Sequence, residues 1–155
     1  MRPGLTIRPD DLTGQATLRL IARHLAGMHD SSPAESVHAL DAAALTHESI
    51  SFWSAWEGDR LAGIGALKTL DAARGEIKSM RVDDAFLGHG IGRALLRHII
   101  AQARVRGMTS LWLETGSTPE FAPAVRLYAS EGFRECGPFD GYALDPFSVF
   151  MTRTL

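Results

Sequence analysis

The sequence predicts an α+β fold, with a mixed, mostly antiparallel sheet of about seven strands and flanking helices. Seven short stretches have strand character, and two of the longest lie on either side of Gly58-Asp59, a turn that joins antiparallel neighbours. Four further stretches carry helical spacing or helix-capping signals and interrupt the strands. A chain of 155 residues that is 45% hydrophobic and 22% charged supplies one real core and would cramp two. A single domain over residues 1–155 is expected.

Residues 5–8 read as a first strand. Asp10 or Asp11 can cap a following helix in which Leu18, Ile21, Leu25 and Met28 recur at helical spacing. Ser32-Pro33-Ala34-Glu35 has the spacing of a capping box, with Pro33 at the first helical position, and predicts a second helix running to about Leu45. Residues 49–56 and 60–70 form the hairpin around Gly58-Asp59, and residues 75–82 the next strand. From Gly90 a helix begins whose Ile91, Leu95, Ile99 and Ala103 face one way until Gly107 stops it. Residues 111–114 are a short strand and residues 120–131 a helix halted at Gly132. Residues 133–136 and 148–154 supply the last two strands.

Bulk properties exclude several classes. A formal net charge of −2, with Lys and Arg scattered, argues against nucleic acid or an anionic membrane as the main partner. Cys136 is the single cysteine and cannot close an internal disulfide, and the opening Met1-Arg2-Pro3-Gly4 leads into no apolar stretch of leader or span length. A cytoplasmic protein without membrane association is the expectation. The six histidines are dispersed rather than set at ligand spacings, so no metal site is expected.

Chemistry concentrates where the third predicted helix begins, at Leu87-Gly88-His89-Gly90-Ile91-Gly92-Arg93. A turn rich in glycine brings several backbone N–H groups to one anion, and the first turn of the helix adds unpaired donors and a favourable dipole. A diphosphate suits such a place. A dinucleotide fingerprint starting at Gly88 would need glycine at 93, where Arg93 stands, and a Walker loop needs Gly-Lys followed by Ser or Thr, which the chain lacks.

With Gly90 and Gly92 in the turn, and Leu127-Tyr128 and Gly132-Phe133 downstream, the chain resembles the GNAT superfamily of N-acetyltransferases over most of its length. The resemblance implies acetyl-CoA as co-substrate and transfer of its acetyl group to a primary amine of a small molecule or peptide, by direct attack in a ternary complex. It implies that Met80, Arg81 and Val82 lend backbone groups to the pantetheine arm and thioester. The strand at 111–114 would splay from them to admit that arm. An amide near Arg81 or Val82 would stabilise the developing oxyanion. Tyr128 matches the tyrosine that protonates the departing thiolate. Glu76 lies at the family spacing for a base, and Glu114 is the second candidate; the competing reading of Glu76 is a carboxylate that binds a cationic substrate or pairs with Lys78 without moving a proton.

Two departures touch the cofactor. Leu87 stands where the family motif opens with Arg or Gln, leaving Arg93 to compensate by charge. Phe121 occupies the position of a usual Asn. On the acceptor side, His24 and His38 lie in the amino-terminal helical region, and Tyr142 in the turn-rich loop 138–146 is a weaker candidate. His98 is expected to face solvent, and Phe52, Trp53 and Trp56 to pack in the core. Cys136 is not expected to carry an acyl group. A noncatalytic acyl-CoA-binding module and a protein lysine or N-terminal acetyltransferase are the alternatives, and a homodimer is compatible with the apolar final strand.

Overall fold

A computed structural model describes residues 4–155. Met1, Arg2 and Pro3, which open the stretch read for a leader, lie outside the described residues. The elements in chain order are β1 (Leu5–Pro9), α1 (Gln15–Ser31), α2 (Ala42–Leu45), β2 (Ile50–Glu57), β3 (Arg60–Thr69), β4 (Arg74–Val82), α3 (Ile91–Val105), β5 (Ser110–Gly116), α4 (Ala122–Ser130), β6 (Arg134–Cys136) and β7 (Ser148–Thr154). The strands form one sheet in the order β1-β2-β3-β4-β5-β7-β6. Only β4 and β5 run parallel; every other neighbouring pair is antiparallel. The expected mixed, mostly antiparallel α+β sheet is what the chain builds.

Side chains alternate across the sheet and divide the core in two. On one face Leu20 and Ile21 of α1 and Leu45 of α2 pack with Phe52, Ile64 and Ala66. On the other, Leu96, Ile99, Ile100 and Ala103 of α3 and Tyr128 of α4 pack with Trp53, Leu67, Ile77, Leu111 and Leu113. Phe52 and Trp53 therefore serve opposite layers, in keeping with their alternation along the strand. The predicted stripe of α3 is fully buried at Ile91, Leu95, Ile99 and Ala103, and Gly107 at φ 80° ends the segment.

The predicted helix over 32–45 does not form. Ala34–Ser36 makes one 3-10 turn, the chain extends through Val37, and only Ala42–Leu45 is α-helical. Ser32 is the carboxyl-terminal cap of a longer α1, and the short turn that follows starts behind Pro33 without a side-chain cap. The buried Ser36 instead donates its hydroxyl to Asp145 Oδ2 at 2.6 Å, a contact 109 residues away that local pattern cannot foresee. Asp10 and Asp11 do not cap α1, which starts behind Gly14. Asp10 accepts from the Leu12 N–H and the Thr17 hydroxyl. The buried face of α1 is Thr17, Leu20, Ile21 and His24, rotated from the stripe of Leu18, Ile21, Leu25 and Met28.

Two irregularities interrupt the middle of the sheet. The register between β3 and β4 slips between Ile64 and Ala66, opposite Ser79, which has φ 56°; an extra residue on β4 bends it there. The β4–β5 ladder also stops early. Its pairs run only from Arg74 with Ser110 to Ile77 with Leu113, although β4 continues to Val82 and β5 to Gly116. Beyond Ile77 the two strands diverge, and the β4 edge toward β5 has no ladder partner.

Candidate active site

The glycine turn closes one end of this fork. Asp83 accepts the Ala85 N–H at 3.0 Å and opens a 3-10 turn, Asp84–Phe86, that delivers the chain to Gly88. Gly88 and Gly90 both have left-handed backbone, φ 78° and 79°, which an L side chain resists. Gly90 caps α3, its carbonyl accepting the Ala94 N–H at 3.1 Å. The N–H groups of Ile91, Gly92 and Arg93 are thus first-turn donors without an intrahelical acceptor. Gly92 is needed for closeness: a Cβ there would stand 3.2 Å from Leu127 Cδ2 and 3.5 Å from Val82 Cγ2. Unpaired donors, a helix N-terminus and a bare backbone fit a diphosphate.

Two side chains of this segment leave the phosphate contact to the backbone. Leu87 is 60% exposed and offers no donor. Arg93 does not stand free to replace the missing cation: its Nη1 donates to Glu131 Oε1 at 2.6 Å and Ser130 Oγ at 3.0 Å. Arg97 joins the same carboxylate at 2.8 Å, so both arginines clamp α3 to the end of α4. His89 is exposed, with its ring 6.3 Å from that of Phe86. His98, expected to face solvent, is only partly exposed. It packs edge-on against Trp53 at 5.4 Å with Nε2 enclosed, and burial lowers its pKa.

The other end of the fork collects the predicted acid–base residues. Glu76, 2% exposed, lies one residue before the last β4–β5 pair and on the α1 side of the sheet, opposite in sense to Ile77. Its Oε2 accepts from Lys78 Nζ at 3.1 Å and from the Tyr142 hydroxyl at 2.5 Å. Lys78 also donates to the Tyr142 oxygen at 3.0 Å, so the three groups form a closed triangle. Tyr142 is held there by ring contacts with Phe139, Phe150 and the edge of His38. Its phenol pKa is raised by burial and by the neighbouring Glu76.

Glu114 is the first residue of β5 beyond the last pair, level with Lys78 across the opening. Among the described residues one hydrogen bond reaches its carboxylate, from Ser148 Oγ to Oε2 at 2.7 Å. Burial pushes its pKa up to about 7; Ser148 and Lys78 pull it down, and the charges of Glu76 and Asp145 push it further up. It is therefore a carboxyl group poised to change charge near neutrality.

Tyr128 approaches from the opposite layer. It is buried on α4 with its ring 5.9 Å from Phe133, and its hydroxyl has no hydrogen-bond partner among the described residues. Desolvation alone raises its pKa, so the phenol keeps its proton. Phe121, at the place of the usual Asn, lies flat on Gly116, where a Cβ would meet the ring at 2.1 Å. Met80 turns toward the α3 layer over Gly65, and Val82 pairs with Gly63. His24 is 8% exposed beneath α1, with burial and the Arg81 charge lowering its pKa to about 4. Cys136 is partly buried in β6 and its thiol pKa is raised by burial, which suits an inert side chain.

A model of the Acetyltransferase (GNAT) family matches residues 18–133, a span that includes the fork, the glycine turn and Tyr128. The chain belongs to the GNAT acetyltransferase family. It is 52% identical over 149 residues to the uncharacterized N-acetyltransferase YsnE of Bacillus subtilis, covering 96% of this chain and 99% of that one. It is 48% identical over 150 residues to the uncharacterized N-acetyltransferase YedL of Escherichia coli, covering 97% and 94%. A crystal structure of a GNAT family acetyltransferase from Elizabethkingia anophelis with acetyl-CoA bound superposes with a TM-score of 0.71 at 22% identity, over 99% of this chain and all of that one, a likeness of fold. The GNAT chain is an acyltransferase enzyme.

Sequence reasoning reaches the fork, the glycine turn and the residues Glu76, Glu114, Tyr128, Tyr142 and His38. The Glu76–Lys78 pairing given as the competing reading does form, but the sequence does not show Tyr142 joining it, nor the support of Glu114 by Ser148. The Tyr142 and Ser148 contacts span 66 and 34 residues. No helix among the described residues is long and apolar enough to cross a membrane, and no cluster of three metal-ligating side chains occurs among them.

Proposed function

We propose that the enzyme transfers the acetyl group of acetyl-CoA to a primary amine of a small molecule, by direct attack within a ternary complex. The observation that carries this reading is the opened β4–β5 fork with unpaired backbone on one side, the donor-rich glycine turn at its end and a neutral-range carboxyl group at its base. The names of the two relatives support transfer to nitrogen.

Bound acetyl-CoA would supply an activated thioester carbonyl; the remaining work falls to side chains and amides of the chain. Donors at Gly88 and residues 90–93 grip the diphosphate, while the His89 N–H is held by the Phe86 carbonyl at 3.3 Å. The bulge at Ser79 turns the following β4 amides, near Arg81 and Val82, toward a developing oxyanion, where a fixed N–H favours the transition state over the substrate. An amine with a pKa of about 10.4 is neutral in only about one molecule in 10³ at pH 7, so a base is useful. Glu114 is better suited to it than Glu76: Oε2 of Glu76 is committed to the Lys78 ammonium and the Tyr142 phenol, whereas among the described residues Glu114 accepts from one neutral hydroxyl. Glu76 then serves to hold Lys78 and Tyr142 in place. Tyr128, kept protonated, donates to the departing thiolate.

The test is coenzyme A release across a broad amine panel, with Glu114→Gln, Glu76→Gln and Tyr128→Phe alongside. Turnover lost in Glu114→Gln and Tyr128→Phe, and reduced less in Glu76→Gln, is the expected result. Binding of acetyl-CoA without release on any amine would favour a noncatalytic acyl-CoA module.

A further inference from the structure

On the α1 side of β4, one step past the bulge, a cationic side chain stands without a counter-charge among the described residues. Arg81 is partly buried and pairs through its backbone with Ile64, which fixes its side chain on the same face as Lys78 and Glu76. Its guanidinium lies against the bare backbone of α1 at Gly27, where a Cβ would be 3.1 Å from Nη1. Among the described residues it has no ion pair and no hydrogen bond. Other charged groups on this side have partners: Lys78 pairs with Glu76, and Asp145 and Glu114 each accept a serine hydroxyl. A half-buried guanidinium without an acceptor is costly, since its donors give up water and gain nothing.

A second group beside it is also unsatisfied. His24 of α1 is 8% exposed, feels the charge of Arg81, and has its Nδ1 sealed from solvent without any partner. The Ser79 hydroxyl in the adjoining bulge is likewise buried and unpartnered. Two orphaned polar groups facing each other, one of them a planar cation, describe a site for a planar anion.

We propose that the acceptor carries a carboxylate next to its amine, an amino-acid-type substrate, and that Arg81 grips that carboxylate with His24 alongside. This rests on the acetyl-transfer reading above. A single guanidinium with a neutral imidazole matches a monoanion, whose two oxygens meet the guanidinium fork. Along β4, Lys78 and Arg81 share a face within about 10 Å of backbone, and Glu114 stands level with Lys78. A small molecule spans from the base to the guanidinium. Gly27 is then a positioning residue, because its missing side chain leaves the guanidinium room against α1.

The experiment is calorimetric titration of the coenzyme A-saturated enzyme with free L-amino acids, the matching amino-acid amides and the decarboxylated amines, alongside acetyl-transfer kinetics with the same panel. Amino acids should bind about 10- to 100-fold tighter than their amides. Arg81→Gln should erase that difference and raise KM for amino acids about 10- to 100-fold while raising KM for their amides far less. Arg81→Lys should restore part of the preference, and Gly27→Ala should reproduce part of the loss. Amides binding as well as acids, or Arg81→Gln weakening acetyl-CoA as much as the acceptor, would overturn the assignment. Preferential binding of amino acids with no acetyl group moved would leave the carboxylate site standing and sink the transfer reading; equal transfer to acids and amides would do the reverse.

Discussion

Replacing Glu114 by Gln separates two effects that a structural carboxylate would not show together. Glu114 is held up to about 7 from an ordinary 4.5, chiefly by burial. Its folded-state pKa exceeds its unfolded one, so the folded chain retains a proton that the unfolded chain has lost between pH 4.5 and 7, and stability falls as pH rises through that window. Over the full shift the cost is at most about 3 kcal/mol. Partial exposure screens it, and the expected relief in Glu114→Gln above pH 7 is roughly 1–2 kcal/mol, a Tm gain of about 3–6 °C for a chain of this size. At pH 4.5 the variant and wild type should melt together. Kinetically, loss of a general base costs about 10²- to 10⁴-fold in kcat/KM. The ratio of wild-type to variant kcat/KM cancels the titration of the acceptor. It should rise about tenfold from pH 6 to pH 8 and then level, following ionisation around pH 7. The assays are thermal melts and thiol-release kinetics across that range. A variant less stable than wild type at pH 8, or a rate ratio that is flat with pH, would refute the reasoning.

Tyr128→Phe removes a hydroxyl without a hydrogen-bond partner among the described residues, so Tm should stay within about 2 °C while kcat falls about 10²-fold; a stable, fully active variant would remove Tyr128 from the chemistry. His24, with its pKa lowered to about 4 by burial, gives stability that is complete above pH 6.5 and lost as pH falls toward 4; His24→Gln should flatten that acid limb by about 2–3 kcal/mol, read from denaturant midpoints at pH 7 and pH 4.5. Gly90→Ala forces a Cβ into left-handed backbone at φ 79° and should cost about 1–2 kcal/mol of stability together with affinity for acetyl-CoA, measured by melts with and without ligand.

The glycine turn and α3 were legible because their signals are local: a repeat of about four residues buries Ile91, Leu95, Ile99 and Ala103, and glycines mark the left-handed positions. The hairpin was legible for the same reason, with Gly58 at φ 61°. The segment 32–45 was not, because its capping pattern competes with a tertiary tether, Ser36 to Asp145, that holds it extended. The site divides in the same way. Glu76, Glu114 and Tyr128 come from the resemblance. Which carboxylate is committed and which is available depends on Tyr142 and Ser148, brought in from the late loop and the last strand. Arg93 illustrates the converse: it is near the turn in sequence, yet Glu131 at the end of α4 takes its guanidinium.

The claim on which the function depends is that backbone donors at residues 88–93 and the open edge of β4 hold acetyl-CoA. Isothermal titration of the purified, folded protein with acetyl-CoA measures it directly. Saturable one-to-one binding, with a matching rise in Tm and a weaker response in Gly90→Ala, is the predicted result. Absence of binding heat and an unchanged Tm at millimolar acetyl-CoA would contradict it.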